Sequence, residues 1–251
     1  MGTLIFIGMG VWNENDISVR GRKELADSDV IFAEQYTGRM QEGSIERLES
    51  VTGKKIIVLS REEVEGETAI LNEAESKRVA FLIPGDPLIS TTHMSLKLSA
   101  EKKGIGTVVV HSSSIITAAI GECGLQVYKL GKPCTLAMWG KGFEPTSSYD
   151  VIADNFERGL HSVIFLDLKD RCMDAQEAIE QLLKVESERH RLGEFRIVVL
   201  SRVGSSEQKI TYGRPDELLK ASLGKPPFLL ILPGKLHFME KEALQRFEIR
   251  V

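Results

Sequence analysis

Two short corners concentrate the residues that could do chemistry. The first, Gly8-Met9-Gly10, closes the apolar run LIFIG and places residues without a Cβ where a ligand could approach the backbone. The second lies within FLIPGDPLISTTH, Phe81 to His93. Pro84 and Pro87 lack N–H donors and bias Ile83 and Asp86 away from helical angles, so a strand stops here and the corner stays extended. Asp86 then projects its carboxylate from a fixed turn. Ser90, Thr91 or Thr92 is expected to cap a helix that carries Met94 and Leu98 and ends by Gly104. In open parallel sheets, such strand-to-helix turns at the carboxyl ends of strands are where small ligands sit. The alternative for Asp86 is a plain turn cap, and for His93 a place on a helix face. As a dinucleotide fingerprint the first corner is incomplete, because its third glycine falls at Asn13, although Glu34 stands where a ribose-binding acid would.

The elements that must carry these corners alternate. Strands are expected at Leu4 to Gly8, Val30 to Ala33, Ile56 to Leu59, Val79 to Ile83 and Thr107 to His111, with helix-period spacing between them in Val19 with Leu25 and Ala26, Ile70 with Ala74, and Met94 with Leu98. That alternation predicts an α/β fold with a five-stranded, mainly parallel N-terminal sheet over residues 1–111. Further strands at Thr135 to Trp139, Ser162 to Leu168, Ile197 to Arg202, Lys209 to Tyr212 and Phe228 to Leu232, with helices near 148–158 and 174–187, predict a second α/β domain over 112–251. The Gly213 to Pro215 turn, placed close between two of those strands, suggests a mixed sheet.

Composition narrows the class. The chain has 251 residues, 42% of them hydrophobic, enough to bury one large core or two modest ones. With 32 basic and 36 acidic residues, a net charge of −4 gives no general case for a nucleic-acid or anionic-membrane surface. The N-terminal apolar run is too short for a membrane span and lacks the charged start of a signal peptide, so a cytoplasmic protein is expected. Cys123, Cys134 and Cys172 are odd in number and far apart, and read as buried thiols with neither a disulfide framework nor a zinc or other metal site.

The longer motifs carry a resemblance. IGMG, DISVRGRKELADSDVIFAEQYT and PGDPLISTTH are followed in order by HSSSIITAAIGECGLQVYKLGK, EPTSSYDVI, ERGLHSVIFLDLK, LSRVGS and PPFLLILPGKLHFMEKEAL. Together these resemble the diphthine synthases, a branch of the tetrapyrrole-methylase superfamily of S-adenosylmethionine-dependent methyltransferases. Precorrin and uroporphyrinogen methylases usually carry a GPGDP-type corner after the first strand, whereas this chain has GMGVWNEN there. That departure favours a diphthine synthase over a tetrapyrrole C-methyltransferase.

The resemblance implies two α/β domains with S-adenosylmethionine in the cleft between them, a homodimer, and translation elongation factor 2 as protein substrate. The reaction it implies is methylation of the amino nitrogen of the factor's aminocarboxypropyl-modified histidine, a step towards diphthamide. The short form of the chain is closer to archaeal relatives and favours the trimethyl product over one that is also a methyl ester. The cofactor contacts it implies are Val11, Asp86, Ile89, Ser114, Ile115, Leu166, Val203 and Phe228. Phe228 replaces a histidine of some relatives, which leaves apolar packing or a backbone contact there. The aliphatic residues suit an adenosine slot, and Asp86 and Ser114 suit the ribose or the methionine end. Methyl transfer from a sulfonium requires an aligned, unprotonated amine, and His93, His111 and His237 are the conceivable proton acceptors. None is assigned as the base from sequence. A nicotinamide-dependent Rossmann-like enzyme and a non-catalytic adenosine-binding module are the competing classes.

Overall fold

Among the described residues ten strands form two sheets, and in the first of them alternate residues of each buried strand face opposite ways. The computed structural model describes residues 2–169 and 171–249, and the chain divides into two units, Met1–Ile115 and Ile116–Val251. The first unit runs β1 (Thr3–Gly8), α1 (Val19–Ala26), β2 (Val30–Ala33), α2 (Ser44–Thr52), β3 (Ile56–Val58), α3 (Arg61–Glu65), α4 (Thr68–Ala74), β4 (Arg78–Ile83), α5 (Met94–Lys102) and β5 (Gly106–Val110). Its strands lie in the order β3-β2-β4-β1-β5, and every pair is parallel. Leu4, Phe6, Val79 and Phe81 pack on one face with Ile70, Ala74, Leu96 and Ala100. Ile5, Ile7, Ala80 and Leu82 pack on the other with Leu25, Ile45 and Leu48. A sheet covered on both faces explains the unbroken apolar runs of β1 and β4.

Two connections leave the middle of this sheet in opposite directions. From β1 the chain crosses β4 to reach β2, and from β4 it crosses β1 to reach β5. The carboxyl ends of β1 and β4 therefore flank the point where strand order reverses, the place where open α/β sheets hold ligands.

The helix faces differ in part from their expected spacing. Ile70 and Ala74 are buried as expected, but Met94 and Leu98 are each 47% exposed, and α5 faces the sheet with Leu96 and Ala100 instead. In α1 Leu25 points inward, while Val19 and Ala26 are exposed. The hydroxyls before α5 do not cap it: His93 occupies the N-cap, Ser90 takes a left-handed conformation, and Thr91 Oγ1 donates to the Pro87 carbonyl at 2.9 Å. The proline corner draws the Thr91 hydroxyl into the loop. Gly104 follows the helix with a positive φ, as its C-terminal role requires.

The second unit contains α6 (Ile115–Cys123), β6 (Cys134–Leu136), α7 (Ser147–Glu157), β7 (Ser162–Leu166), α8 (Ala175–Arg189), β8 (Ile197–Ser201), β9 (Lys209–Gly213), α9 (Pro215–Leu218), β10 (Phe228–Leu232) and α10 (Phe238–Gln245). Its sheet, β6-β7-β10-β8-β9, is mixed as expected: β6 and β7 run parallel and the other pairs antiparallel. The source of the mixture differs from the expected turn. Gly213 ends β9 and Pro215 opens α9 at its first position, where a missing N–H costs nothing. The antiparallel pairs come from the short link between β8 and β9 and from β10, which lies between β7 and β8. Tyr149, Ile152, Ile179 and Leu182 cover one face of the sheet.

A polar cluster ties this unit together away from the sheet. Glu240 in the first turn of α10 has no solvent exposure and accepts from Lys129 Nζ at 2.5 Å, His161 Nε2 at 2.9 Å, and the N–H groups of Gln126 at 2.9 Å and His237 at 2.7 Å. The Gly234 N–H donates to His161 Nδ1 at 3.1 Å, so the ring is the Nε2–H tautomer that Glu240 needs.

Cys123 is buried, while Cys134 and Cys172 are half-buried. Burial pushes the Cys123 and Cys134 thiols up to about 12, which keeps them protonated. Among the described residues, no helix is long and apolar enough to cross a membrane.

Candidate functional site

The two corners singled out in the sequence meet each other. Met9 N–H donates to the Ile83 carbonyl at 2.8 Å, Gly85 N–H to the Gly10 carbonyl at 2.8 Å, and Gly10 N–H to the Gly85 carbonyl at 3.2 Å. Gly8 and Gly10 therefore serve the close approach of one loop to another. A Cβ on Gly8 would lie 2.5 Å from the Gly85 carbonyl oxygen and 2.7 Å from the Ser112 Cβ, and one on Gly10 would lie 2.3 Å from the Asp16 Cβ. Gly85 is the exception. It has φ +71°, and a Cβ there would meet nothing within 4 Å.

Beyond Gly10 the chain does not enter a helix, as a dinucleotide-binding corner would. Asn13 caps a single 3-10 turn over Glu14–Asp16, and Asp16 accepts from the Trp12 N–H at 2.7 Å and the Asn13 N–H at 3.2 Å. No pyrophosphate cradle forms, which counts against the nicotinamide reading. Glu34, the would-be ribose acid, is fully buried. It accepts from the Tyr36 and Thr37 N–H groups at 2.7 and 3.0 Å and from the Thr37 hydroxyl. Burial raises its pKa against those hydrogen bonds.

Asp86 reaches across the end of β1 to the end of β5. One carboxylate oxygen accepts from the Leu88 N–H at 3.1 Å; the other accepts from His111 Nδ1 at 2.7 Å and from the Ser112 N–H at 3.3 Å. Its side chain is 7% exposed, whereas that of His111 is 68% exposed. The span is possible because Gly8, at the tip of the intervening strand, has no side chain to block it. An ionised carboxylate only accepts, so toward it the ring donates from Nδ1, and a neutral imidazole held this way would present its lone pair at Nε2. Sequence reasoning named both residues without pairing them. What pairs them is their position at the ends of the strands that flank β1, which the sequence does not state.

The other histidines are differently placed. His93 is 1% exposed, with Nδ1 3.3 Å from the Pro87 carbonyl and Nε2 3.3 Å from the Tyr36 hydroxyl. Burial pulls its pKa down to about 4, so the ring is neutral and the Tyr36 hydroxyl donates to Nε2. The carbonyl must be met by Nδ1–H. His237 caps α10, its Nδ1 accepting from the Met239 N–H at 3.4 Å.

The remaining sequence-derived residues fall into two sets, one on each unit. In the first unit, Val11 follows the Gly8–Gly10 corner and is half-buried, Ile89 sits just past Asp86 and is 49% exposed, and Ser114 and Ile115 are half-buried where β5 gives way to α6. Ile89 is thus a surface side chain beside the corner and no part of the core. In the second unit, Leu166 ends β7, Phe228 begins β10, and Val203 follows β8, so all three gather at one end of that sheet. They are buried, and Leu166 and Phe228 belong to the unit's core. Asp167, next to Leu166, accepts from the Met138 N–H at 3.1 Å and the Lys169 N–H at 3.0 Å, fixing the loop after β6.

Comparison with known proteins points one way. A family model described as Tetrapyrrole (Corrin/Porphyrin) Methylases matches residues 3–219. A diphthine synthase of Methanosphaera stadtmanae is 42% identical over 247 residues, covering 96% of this chain and 94% of that protein. One of Methanocaldococcus jannaschii is 38% identical over 252 residues, covering 96% and 97%. Among solved structures, a crystal structure of diphthine synthase matches with a TM-score of 0.90 and 35% identity, covering 98% of this chain and 96% of that one.

Proposed function

The chain belongs to the diphthine synthases of the tetrapyrrole methylase family, and from that premise we propose that it methylates the amino nitrogen of the aminocarboxypropyl-modified histidine of translation elongation factor 2. The observation that carries the proposal is the closure of the two sequence corners on one another at the switch point of the parallel sheet, with Asp86 and His111 beside them. When bound, S-adenosylmethionine supplies a methyl carbon activated by its sulfonium.

The residues present fit such a group. At Gly85 the left-handed backbone opens onto space that any Cβ would enter, and the exposed Ile89 offers an apolar surface next to it. Val11, Ser114 and Ile115 are the further contacts expected from the first unit, and Leu166, Val203 and Phe228 those expected from the second. Asp86 contributes by rigidity: its carboxylate is taken up by its own chain, so it holds the ends of β4 and β5 in one arrangement. A homodimer acting in the cytoplasm on the folded factor, with the trimethylammonium as product, completes the reading.

The test is intact-mass analysis of elongation factor 2 carrying the aminocarboxypropyl histidine, before and after incubation with the protein and S-adenosylmethionine. Successive methyl additions on one nitrogen, ending at the quaternary state, are expected. Methylation of a tetrapyrrole, or none on the factor, would overturn the proposal.

A further inference from the structure

An amine that is to be methylated must first lose a proton, because an ammonium has no lone pair, and a nitrogen methylated repeatedly must do so before each transfer. The acceptor has to be unprotonated, to face outward at the ligand-binding end of the sheet, and to pass its proton to water between transfers. Of the three candidate histidines, His93 is buried with both ring nitrogens engaged, and His237 is occupied in a helix cap of the second unit. His111 meets the geometric requirements. It follows the last residue of β5 beside Gly8, its ring is mostly exposed, and its Nε2 has no hydrogen bond among the described residues.

We propose that His111 is the general base of the methyl transfer and that Asp86 is the positioning residue that fixes its tautomer. The assignment rests on the reading of this chain as an S-adenosylmethionine-dependent N-methyltransferase. In the step assigned to it, the substrate ammonium loses an N–H bond as Nε2 of His111 gains one. The electron pair left on the amine nitrogen forms the new carbon–nitrogen bond, while the carbon–sulfur bond breaks and its electrons remain on sulfur. The imidazolium is stabilised by the Asp86 carboxylate 2.7 Å from Nδ1 and returns its proton to water through the exposed Nε2. A fully buried base would have no such route between transfers.

The same geometry separates this assignment from a plain loop staple. A staple needs the Asp86 to His111 bond but makes no demand on Nε2. A base needs Nε2 free, and therefore needs Asp86 ionised on the Nδ1 side. Asp86→Asn distinguishes the two, because an amide can present its NH2 group to Nδ1 and move the ring proton to Nε2.

The experiment uses the full chain and has three readouts. In wild type, long-range nitrogen–proton NMR of the His111 ring should show the neutral form protonated at Nδ1, and in Asp86→Asn at Nε2. Calorimetry should give His111→Ala a loss of affinity for S-adenosylhomocysteine far smaller than its loss of rate, since the Ser112 N–H still ties Asp86 to the end of β5. Single-turnover methyl transfer to the intact modified factor should fall by about 10²- to 10⁴-fold in His111→Ala, the usual contribution of a positioned proton acceptor. A wild-type ring protonated at Nε2, a His111→Ala rate within about threefold of wild type, or a rate loss matched by an equal loss of affinity would each overturn the assignment. Were wild type itself to transfer no methyl to the factor, the proposed function would fall first. An active wild type with an equally active His111→Ala would remove the base and leave that function standing.

Discussion

Replacing Glu240 by glutamine should destabilise the second unit by an amount that fades as the solution is acidified. Burial alone would raise this carboxyl, but hydrogen bonds from Lys129, His237, Gln126 and His161 outweigh it and hold the pKa at about 2, against an ordinary 4.5. A value depressed in the folded chain means that the unfolded chain takes up the proton first as pH falls. The stabilisation is then complete above about 4.5 and is lost on the way down to about 2. Such a shift is worth roughly 3 kcal/mol at neutral pH, at about 1.4 kcal/mol per pH unit, and about 1.5 kcal/mol of it survives at pH 3. Glutamine has the shape of the acid but not its charge, so it faces the Lys129 ammonium uncompensated. Each unit carries one tryptophan, Trp12 or Trp139, and Trp139 packs against the core of the second. In a Trp12→Phe background, urea unfolding followed by Trp139 fluorescence reports on that unit alone. The stability gap that Glu240→Gln opens in this background should be roughly 3 kcal/mol at pH 7 and less than about two-thirds of that at pH 3. A gap that stays constant with pH, or that is under about 1 kcal/mol at pH 7, would refute the electrostatic account and leave only packing.

Gly8→Ala should cost about 1 to 3 kcal/mol in the first unit, because its Cβ would press on the Gly85 carbonyl and the Ser112 side chain. Urea unfolding followed by Trp12 in a Trp139→Phe background measures it, and a neutral substitution would mean that the corners part easily. Asp86→Ala should weaken calorimetric binding of S-adenosylhomocysteine by on the order of tenfold to a hundredfold, as the ends of β4 and β5 lose their shared anchor. Unchanged affinity in a folded variant would confine Asp86 to turn geometry. His93, held at about 4 by burial, stays neutral while the unfolded chain is protonated from about 6.5 downward, so it penalises folding as pH falls through that window. Wild type should lose roughly 3 kcal/mol more than His93→Gln between pH 7 and pH 4, and parallel pH profiles would contradict this.

Strands were easier to read from sequence than faces. β2 and β10 carry their expected bounds, and the other eight shift by a few residues at most, because short apolar runs bounded by turns mark buried strands. Helix α5 shows the limit: Met94 and Leu98 have the right period for an inward face, and so do Leu96 and Ala100, which the sheet selects. Spacing sets the period of a helix but not its rotation. At the site, the proline corner and the acid were legible, since Pro84 and Pro87 constrain their neighbours wherever they occur. The contact between that corner and Gly10, and the reach of Asp86 past Gly8 to His111, were not. They depend on which strands are neighbours, and the sequence order of β1, β4 and β5 does not state that β1 lies between the other two.

The place of β10 has a consequence for how the second unit is made. It comes last of the five strands in sequence and lies third in space, joining the β6-β7 pair to the β8-β9 hairpin. On a ribosome that has released residues only as far as 227, those two pieces have no shared hydrogen bonds, and each presents an open edge where its partner will come. Assembly of this sheet is thus a closing event triggered by the emergence of Phe228 to Leu232, and the interval before it is when the nascent chain is most exposed to edge-to-edge association. Pulse-labelled amide exchange on stalled chains would show the amides of β7 and β8 that pair with β10 gaining protection together, and only once β10 has cleared the exit tunnel.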